Sequence, residues 1–198
     1  MRAKTRRELV GGPAGKIECA VDEPDGGQSR GIALVAHPHP LFGGTLENKV
    51  AQTLARAFVE LGYAAWRPNF RGAGRSEGLH DEGRGEVDDL AAVLAHTKAD
   101  RPVLAGFSFG AAVQAKLAQR VAPERMVLVG LAVRHQEVPR VPANTILIHG
   151  EEDSTVPLAD VLAWARPQDL AVVVVPGADH FFHRRLPILR AIIQHAWK

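Results

Sequence analysis

RPVLAGFSFGAAVQAKLAQR, residues 101–120, changes periodicity around a single serine. RPVLAGFS (101–108) is a short apolar run of the kind that forms a strand buried on both faces. FGAAVQAKLAQRVA (109–122) reads as a helix running up to Pro123. Between them, GFSFG (106–110) matches G-x-S-x-G in the strand–turn–helix setting that this motif requires. A serine in so sharp a turn needs small neighbours two positions away on each side, and Gly106 and Gly110 meet that need. The turn aims the Ser108 hydroxyl out of the sheet edge, at a helix N-terminus whose dipole favours negative charge. An ordinary strand-to-helix turn with serine as N-cap has the same pattern, so partners elsewhere in the chain must decide.

The pattern repeats outward from that stretch. GIALVAH (31–37), YAAWRPN (63–69), RMVLVGLAV (125–133), NTILIHG (144–150) and LAVVVVPG (170–177) read as strands. Helical patterns at 48–62, 86–99, 156–165 and 184–197 separate them, the last with Pro187 in its first turn. The first 22 residues read as an antiparallel edge hairpin turning at GGPAG. Strand and helix alternate, and the central strands are apolar on both faces. The expectation is an α/β fold: a mostly parallel, twisted sheet of about seven to eight strands with helices on both faces. With no repeat, linker or low-complexity segment, residues 1–198 read as one domain.

A serine hydroxyl needs a general base, itself oriented by a third group. Asp153 lies just past the strand NTILIHG, in EEDSTVP, and His180 just past LAVVVVPG, in ADHFFH. In a parallel sheet those strand ends share one edge with Ser108, so the three side chains can converge. Glu151 and Glu152 are rival acids, Asp179 is expected to point away, and His183 is a rival base expected on the surface. His149 reads as a packing or loop-bracing residue. GAGRSEG (72–78) has the spacing G-x-G-x-x-x-G rather than G-x-G-x-x-G and follows no suitable βαβ start, so it reads as loop-shaping rather than nucleotide-binding.

Serine, acid and histidine in that chain order, each after a separate strand, resemble the α/β-hydrolases. More closely, HPHPLFGGT, NFRGAGRSEG, GFSFG, HGEEDSTVP and GADHFFH, spanning 37–183, resemble the small bacterial hydrolases similar to dienelactone hydrolase. That enzyme uses a cysteine where this chain has Ser108, so dienelactone chemistry itself does not transfer. The resemblance implies Ser108 as nucleophile, His180 as base and Asp153 as the orienting acid. It also implies an oxyanion hole built from the backbone N–H of Phe109 and one donor from the HPHPLFGG loop. Pro38 and Pro40 have no N–H, which leaves Leu41, favoured by the family's loop, and His39 second.

His37 and His39 could instead be metal ligands, but a catalytic zinc usually takes three protein ligands and no third lies nearby in sequence. The pair is expected to brace its loop, and no metal or cofactor is expected. Net charge is +2, with 46% apolar and 23% charged residues. Arg2, Lys4, Arg6, Arg7 and Lys16 read as a solvated terminus, without the interleaved aromatics of a nucleic-acid site. There is no secretory h-region and no run of about 18 apolar residues, so a cytoplasmic protein is expected, without nucleic-acid or membrane partners, as a monomer or small homo-oligomer. Cys19 lies mid-run in IECAV and reads as a small buried hydrophobe.

The expected activity is cleavage of small soluble carboxylic esters. Alternatives are a thioesterase or peptidase with the same three residues, or a non-catalytic binding protein on the same fold. Only RHQEVPRVPA separates the strand ending near Val133 from the one starting near Asn144, too few residues for a cap domain. The cleft is therefore expected to be open, with substrate-binding walls from Phe42, Phe107 and Phe181 beside Leu41 and Phe109.

Overall fold

A computed structural model gives the fold and describes residues 4–197. Eight strands form one sheet in the order β1-β2-β4-β3-β5-β6-β7-β8. β1 (Lys4–Gly12) and β2 (Gly15–Glu23) make the edge hairpin, and β2 pairs antiparallel with β4 (Ala64–Pro68). β3 (Ile32–Ala36), β4, β5 (Val103–Phe107), β6 (Arg125–Val129), β7 (Ile146–Gly150) and β8 (Val172–Val175) run parallel. The expected mostly parallel sheet is thus present. Strand order reverses at β3, which lies between β4 and β5, so the crevice of the sheet opens at the carboxyl ends of β3 and β5.

Period-2 alternation builds two cores. Leu34, Ala36, Leu104, Met126 and Leu128 face α2 (Gly85–Thr97) and α3 (Phe109–Leu117). Ala33, Val35, Val103, Ala105, Phe107, Val127 and Val129 face α1 (Lys49–Glu60) and α5 (Leu186–Ala196). Helix α4 (Leu158–Ala165) joins the first layer through Ala165.

Two elements are shorter than their patterns suggest. Helix α3 ends at Leu117 rather than 122, because the following turn tightens: Gln119 and Arg120 donate to carbonyls three residues back. Strand β6 ends at Val129 rather than 133, where Gly130 turns to φ +53°. The connection from Gly130 to Thr145 carries no helix and no cap domain. It is tied down: Trp164 donates its indole N–H to the Val138 carbonyl, and Lys116 donates to the Gln136 side chain.

The basic N-terminal residues are not a loose tail. Arg6 pairs with Glu8 and Glu23, and Arg7 with Glu18 and Glu47, charging the outer edge of β1 against unwanted strand pairing; Arg2 lies outside the described residues. Among the described residues no helix is long and apolar enough to cross a membrane.

The elbow is where sequence and packing meet most tightly. A Cβ on Gly106 would lie 2.5 Å from the Gly110 carbonyl oxygen, and one on Gly110 would lie 2.4 Å from that of His37. The first turn of α3 is therefore pressed against both the end of β5 and the loop after β3. Gly110→Ala should lose about 1–3 kcal/mol or more of stability in urea unfolding, because backbone must move to admit the methyl group. Gly11→Ala, with nothing within 4 Å, should stay within about 0.5 kcal/mol of the parent. Equal stability of the two variants would contradict the close approach.

Candidate active site

Ser108 sits at φ +54°, ψ −116°, a sparsely populated conformation for a residue with a side chain. Such strain costs on the order of 1–3 kcal/mol and persists only where its surroundings impose it. Here the Ser108 N–H donates to the Val129 carbonyl (2.9 Å), and its carbonyl accepts from Ala111 and Ala112. The side chain makes no N-capping bond, so the alternative of an ordinary capping serine does not describe it. The hydroxyl instead donates to His180 Nε2 at 3.1 Å.

His180 Nδ1 donates to Asp153 Oδ2 at 2.6 Å. Asp153 Oδ1 accepts the N–H groups of Thr155 (2.9 Å) and Val156 (2.8 Å), which is the bonding of a carboxylate and fixes the His180 tautomer with Nε2 free to accept. All three residues are buried. Phe107 stacks on the His180 ring at 4.8 Å, and Gly130 passes so near that a Cβ there would lie 3.3 Å from His180 Cε1. Serine, imidazole and carboxylate thus form a continuous hydrogen-bonded chain in which His180 can take the proton from Ser108 as its oxygen attacks a carbonyl, with Asp153 orienting the ring.

The rivals lie elsewhere. His183 is mostly exposed and pairs with Asp179 at 2.5 Å. Desolvation is the largest single influence on the Asp179 carboxyl and pushes it up, but the hydrogen bonds and charge of His183, with the Phe181 N–H, together hold it below the ordinary range. Glu151 is used at the surface, accepting the Gly177 N–H. His149 Nε2 donates to the Val156 carbonyl (2.8 Å) and lies 3.5 Å from Asp153 Oδ2, so it braces the acid loop as expected. Burial holds the His149 pKa down and keeps the ring neutral beside that carboxylate. Burial pushes the Cys19 thiol up to about 12, and it is no nucleophile.

The HPHPLFGG loop is braced by both histidines. His37 donates from Nδ1 to the Pro38 carbonyl (2.6 Å) and accepts the Phe70 N–H on Nε2 (2.9 Å), joining this loop to the one after β4. His39 Nδ1 accepts the Leu41 N–H (3.3 Å) and caps a short 3-10 turn, Pro40–Phe42. Both histidines are committed to backbone groups, and no cluster of three or more His, Cys, Asp or Glu positioned for a metal occurs among the described residues.

That capping bond revises the expectation for Leu41, whose N–H is already spent on its neighbour's ring. The His39 carbonyl accepts from Phe42 and Gly44, while its N–H finds no partner among the described residues. The Phe109 N–H, at the first position of α3, is likewise unspent. The His39 ring packs on the Phe109 ring at 4.8 Å, which keeps those two residues side by side.

The cleft walls also need one correction. Phe107 is 0% exposed and supports His180 from within the core, so it cannot line an open cleft, whereas Leu41 (69%), Phe42 (87%) and Phe181 (46%) stand open at the surface. The Phe109 ring is buried under His39. Three residues escaped the sequence reading. Leu79 is exposed, His80 stacks on His39 at 4.6 Å, and Glu86 is wholly buried with its carboxylate 2.9 Å from His80 Nδ1. They lie in the long connection between β4 and α2 and in the first turn of α2, 11 to 18 residues past the strand end, where no motif spacing marks them.

Comparison with known proteins agrees with this architecture. The family described as serine aminopeptidase, S33 matches residues 41–147. A serine hydrolase without lid from Xanthomonas campestris has a similar structure, 35% identical with a TM-score of 0.91, covering 99% of this chain and 94% of its own. A serine hydrolase homologue from Coxiella burnetii is 36% identical with a TM-score of 0.87, covering all of both chains. An uncharacterised protein of Rickettsia prowazekii is 33% identical over 86% of this chain and 79% of its own.

The buried His37 and the partly buried His39 make stability depend on pH. Burial lowers the His37 pKa to about 4 from 6.5, and burial also lowers that of His39. Above pH 6.5 neither folded nor unfolded chain binds these protons, so the full stability is present. Between 6.5 and about 4 the unfolded chain takes up a proton that folded His37 refuses. Urea unfolding should therefore show stability falling over that window, by up to about 1.4 kcal/mol per pH unit for this group. His37→Gln should be less stable at pH 7.5 and should lose part of that slope. An unchanged slope would contradict a buried neutral His37.

Proposed function

The chain belongs to the hydrolase family described as serine aminopeptidase, S33, and on that premise we propose that it cleaves small, soluble carboxylic esters through an acyl-enzyme. The observation that carries this reading is the relay Asp153–His180–Ser108, with contacts of 2.6 and 3.1 Å behind a strained serine. Ser108 attacks the ester carbonyl while His180 takes its proton. Asp153 stabilises the imidazolium, and His180 returns the proton to the leaving alcohol. Water, activated by the same histidine, then attacks the acyl-enzyme and regenerates the serine.

The tetrahedral oxyanion is held by the N–H groups of Phe109 and His39, the two unspent donors beside the serine. The positive end of α3 adds to that field. Every role is filled by a protein group, and the reading includes no metal or cofactor. The whole chain acts as one domain, as a monomer or small homo-oligomer, on a small molecule rather than a nucleic acid.

The open, apolar mouth at Leu41, Phe42 and Phe181 supports a short acyl or alcohol group. With no cap to bury a long chain, methylenes beyond the rim gain less than the roughly 0.8 kcal/mol of full burial. The matched family's description favours a peptide as the second reading. Parallel assays on p-nitrophenyl esters, acyl thioesters and aminoacyl p-nitroanilides separate the two.

Ester turnover should be fastest at short acyl chains, without a jump when the substrate forms micelles. Ser108→Ala or His180→Ala should lower kcat by about 10⁴-fold or more, while His183→Ala should retain nearly full activity. Faster anilide than ester turnover would move the reading to a peptidase. A base at position 183 would follow if the two histidine variants behaved in the opposite way.

A further inference from the structure

His80 and Glu86 lie outside the relay but press on the groups beside it. Glu86, on the first turn of α2, is wholly buried. Its Oε1 accepts the Asp81 N–H and its Oε2 the Gly83 N–H, both at 2.8 Å, so it ties down the loop that carries His80. Oε1 also lies 2.9 Å from His80 Nδ1, in contact with the ring but out of line for a hydrogen bond. The far faces of that ring are occupied. His80 stacks on His39 at 4.6 Å and on Phe109 at 5.4 Å, while His39 stacks on Phe109 at 4.8 Å. Three rings from three loops thus form one cluster, and two of them belong to the residues with the unspent N–H groups.

We propose that His80, anchored by the buried Glu86, is a positioning residue of the oxyanion hole: its ring clamps His39 against Phe109 and so sets the spacing of their two N–H donors. The proposal rests on the hydrolase reading above and deepens it. The clamp is needed because His37 ties the base of the HPHPLFGG loop to Phe70, whereas the hydrogen bonds at its tip run only between residues 39 and 44 of the loop itself, where Leu41 and Phe42 are open to solvent. Donors aimed at a developing oxyanion act only if they stay fixed while charge develops. Loss of one such donor costs about 10²–10³-fold in kcat, and its loosening should cost a part of that.

His80→Ala opens the clamp, and His80→Phe keeps a ring on His39 and Phe109 but no longer answers to Glu86. Both are compared with the parent enzyme on a short p-nitrophenyl ester and with a small alkylboronic acid, whose tetrahedral adduct on Ser108 mimics the oxyanion. His80→Ala should lower kcat about tenfold or more, leave KM within twofold, and weaken the boronate by a similar factor. The pH at which the rate is half-maximal should not move, since the base is His180. His80→Phe should fall between parent and His80→Ala in both readouts, and it tests the clamp even if the alanine variant fails to fold. Unchanged kcat and boronate affinity in a folded variant would overturn the proposal. So would a rise in KM alone, which would make His80 a substrate wall, or a displaced pH midpoint, which would make it act through the base. A parent enzyme with neither turnover nor boronate binding would instead overturn the hydrolase reading itself.

Discussion

The close approach of α3 to the loop after β3 is the constraint on which the site depends. At Gly110 the helix backbone comes within a Cβ's reach of the Ala36 and His37 carbonyls, and at Gly106 the strand end meets the helix's own first turn. Nothing larger than hydrogen fits at either position. The residue between them is thereby forced to φ +54°, and its hydroxyl is driven out of the sheet edge toward His180. The same approach brings the two loop ends with unspent N–H groups, at His39 and Phe109, into contact through their rings. Serine geometry and donor geometry are two consequences of one packing event.

Around that contact the chain uses five histidines in distinct ways, and partners rather than residue type decide each. His37 has both nitrogens committed to backbone and joins two loops. His39 caps a 3-10 turn. His149 donates to Val156 and adds a neutral dipole beside Asp153. His80 faces a buried carboxylate and two aromatic neighbours. Only His180 has an acid on one nitrogen and a serine hydroxyl on the other. That pairing is what makes an imidazole able to take a proton in one step and return it in the next.

The strands, their parallel order and the convergence of Ser108, Asp153 and His180 were legible because they follow from local signals: apolar runs, a glycine-flanked serine, and residues just past strand ends. What escaped depends on contacts that a single chain position does not record. The Leu41 N–H is consumed by a histidine ring only because Pro40–Phe42 closes into a 3-10 turn. Phe107 shares a face with Val103 and Ala105, and the period-2 rule would have turned it into the core with them. The partnership of His80 with His39 and Phe109 joins loops after three different strands, so no spacing in the sequence announces it. Helix α3 and strand β6 stop early at a tightened turn and at a left-handed glycine, whereas their apolar patterns run on.

The central claim is that Ser108 alone is the activated nucleophile, and covalent labelling tests it most directly. Treatment of the folded protein with an alkyl fluorophosphonate should add one adduct per chain by intact mass, on the peptide that contains Ser108. Ser108→Ala should take up none at the same concentration while remaining folded by circular dichroism. An adduct on any other residue, or no adduct on a folded parent protein, would contradict the account.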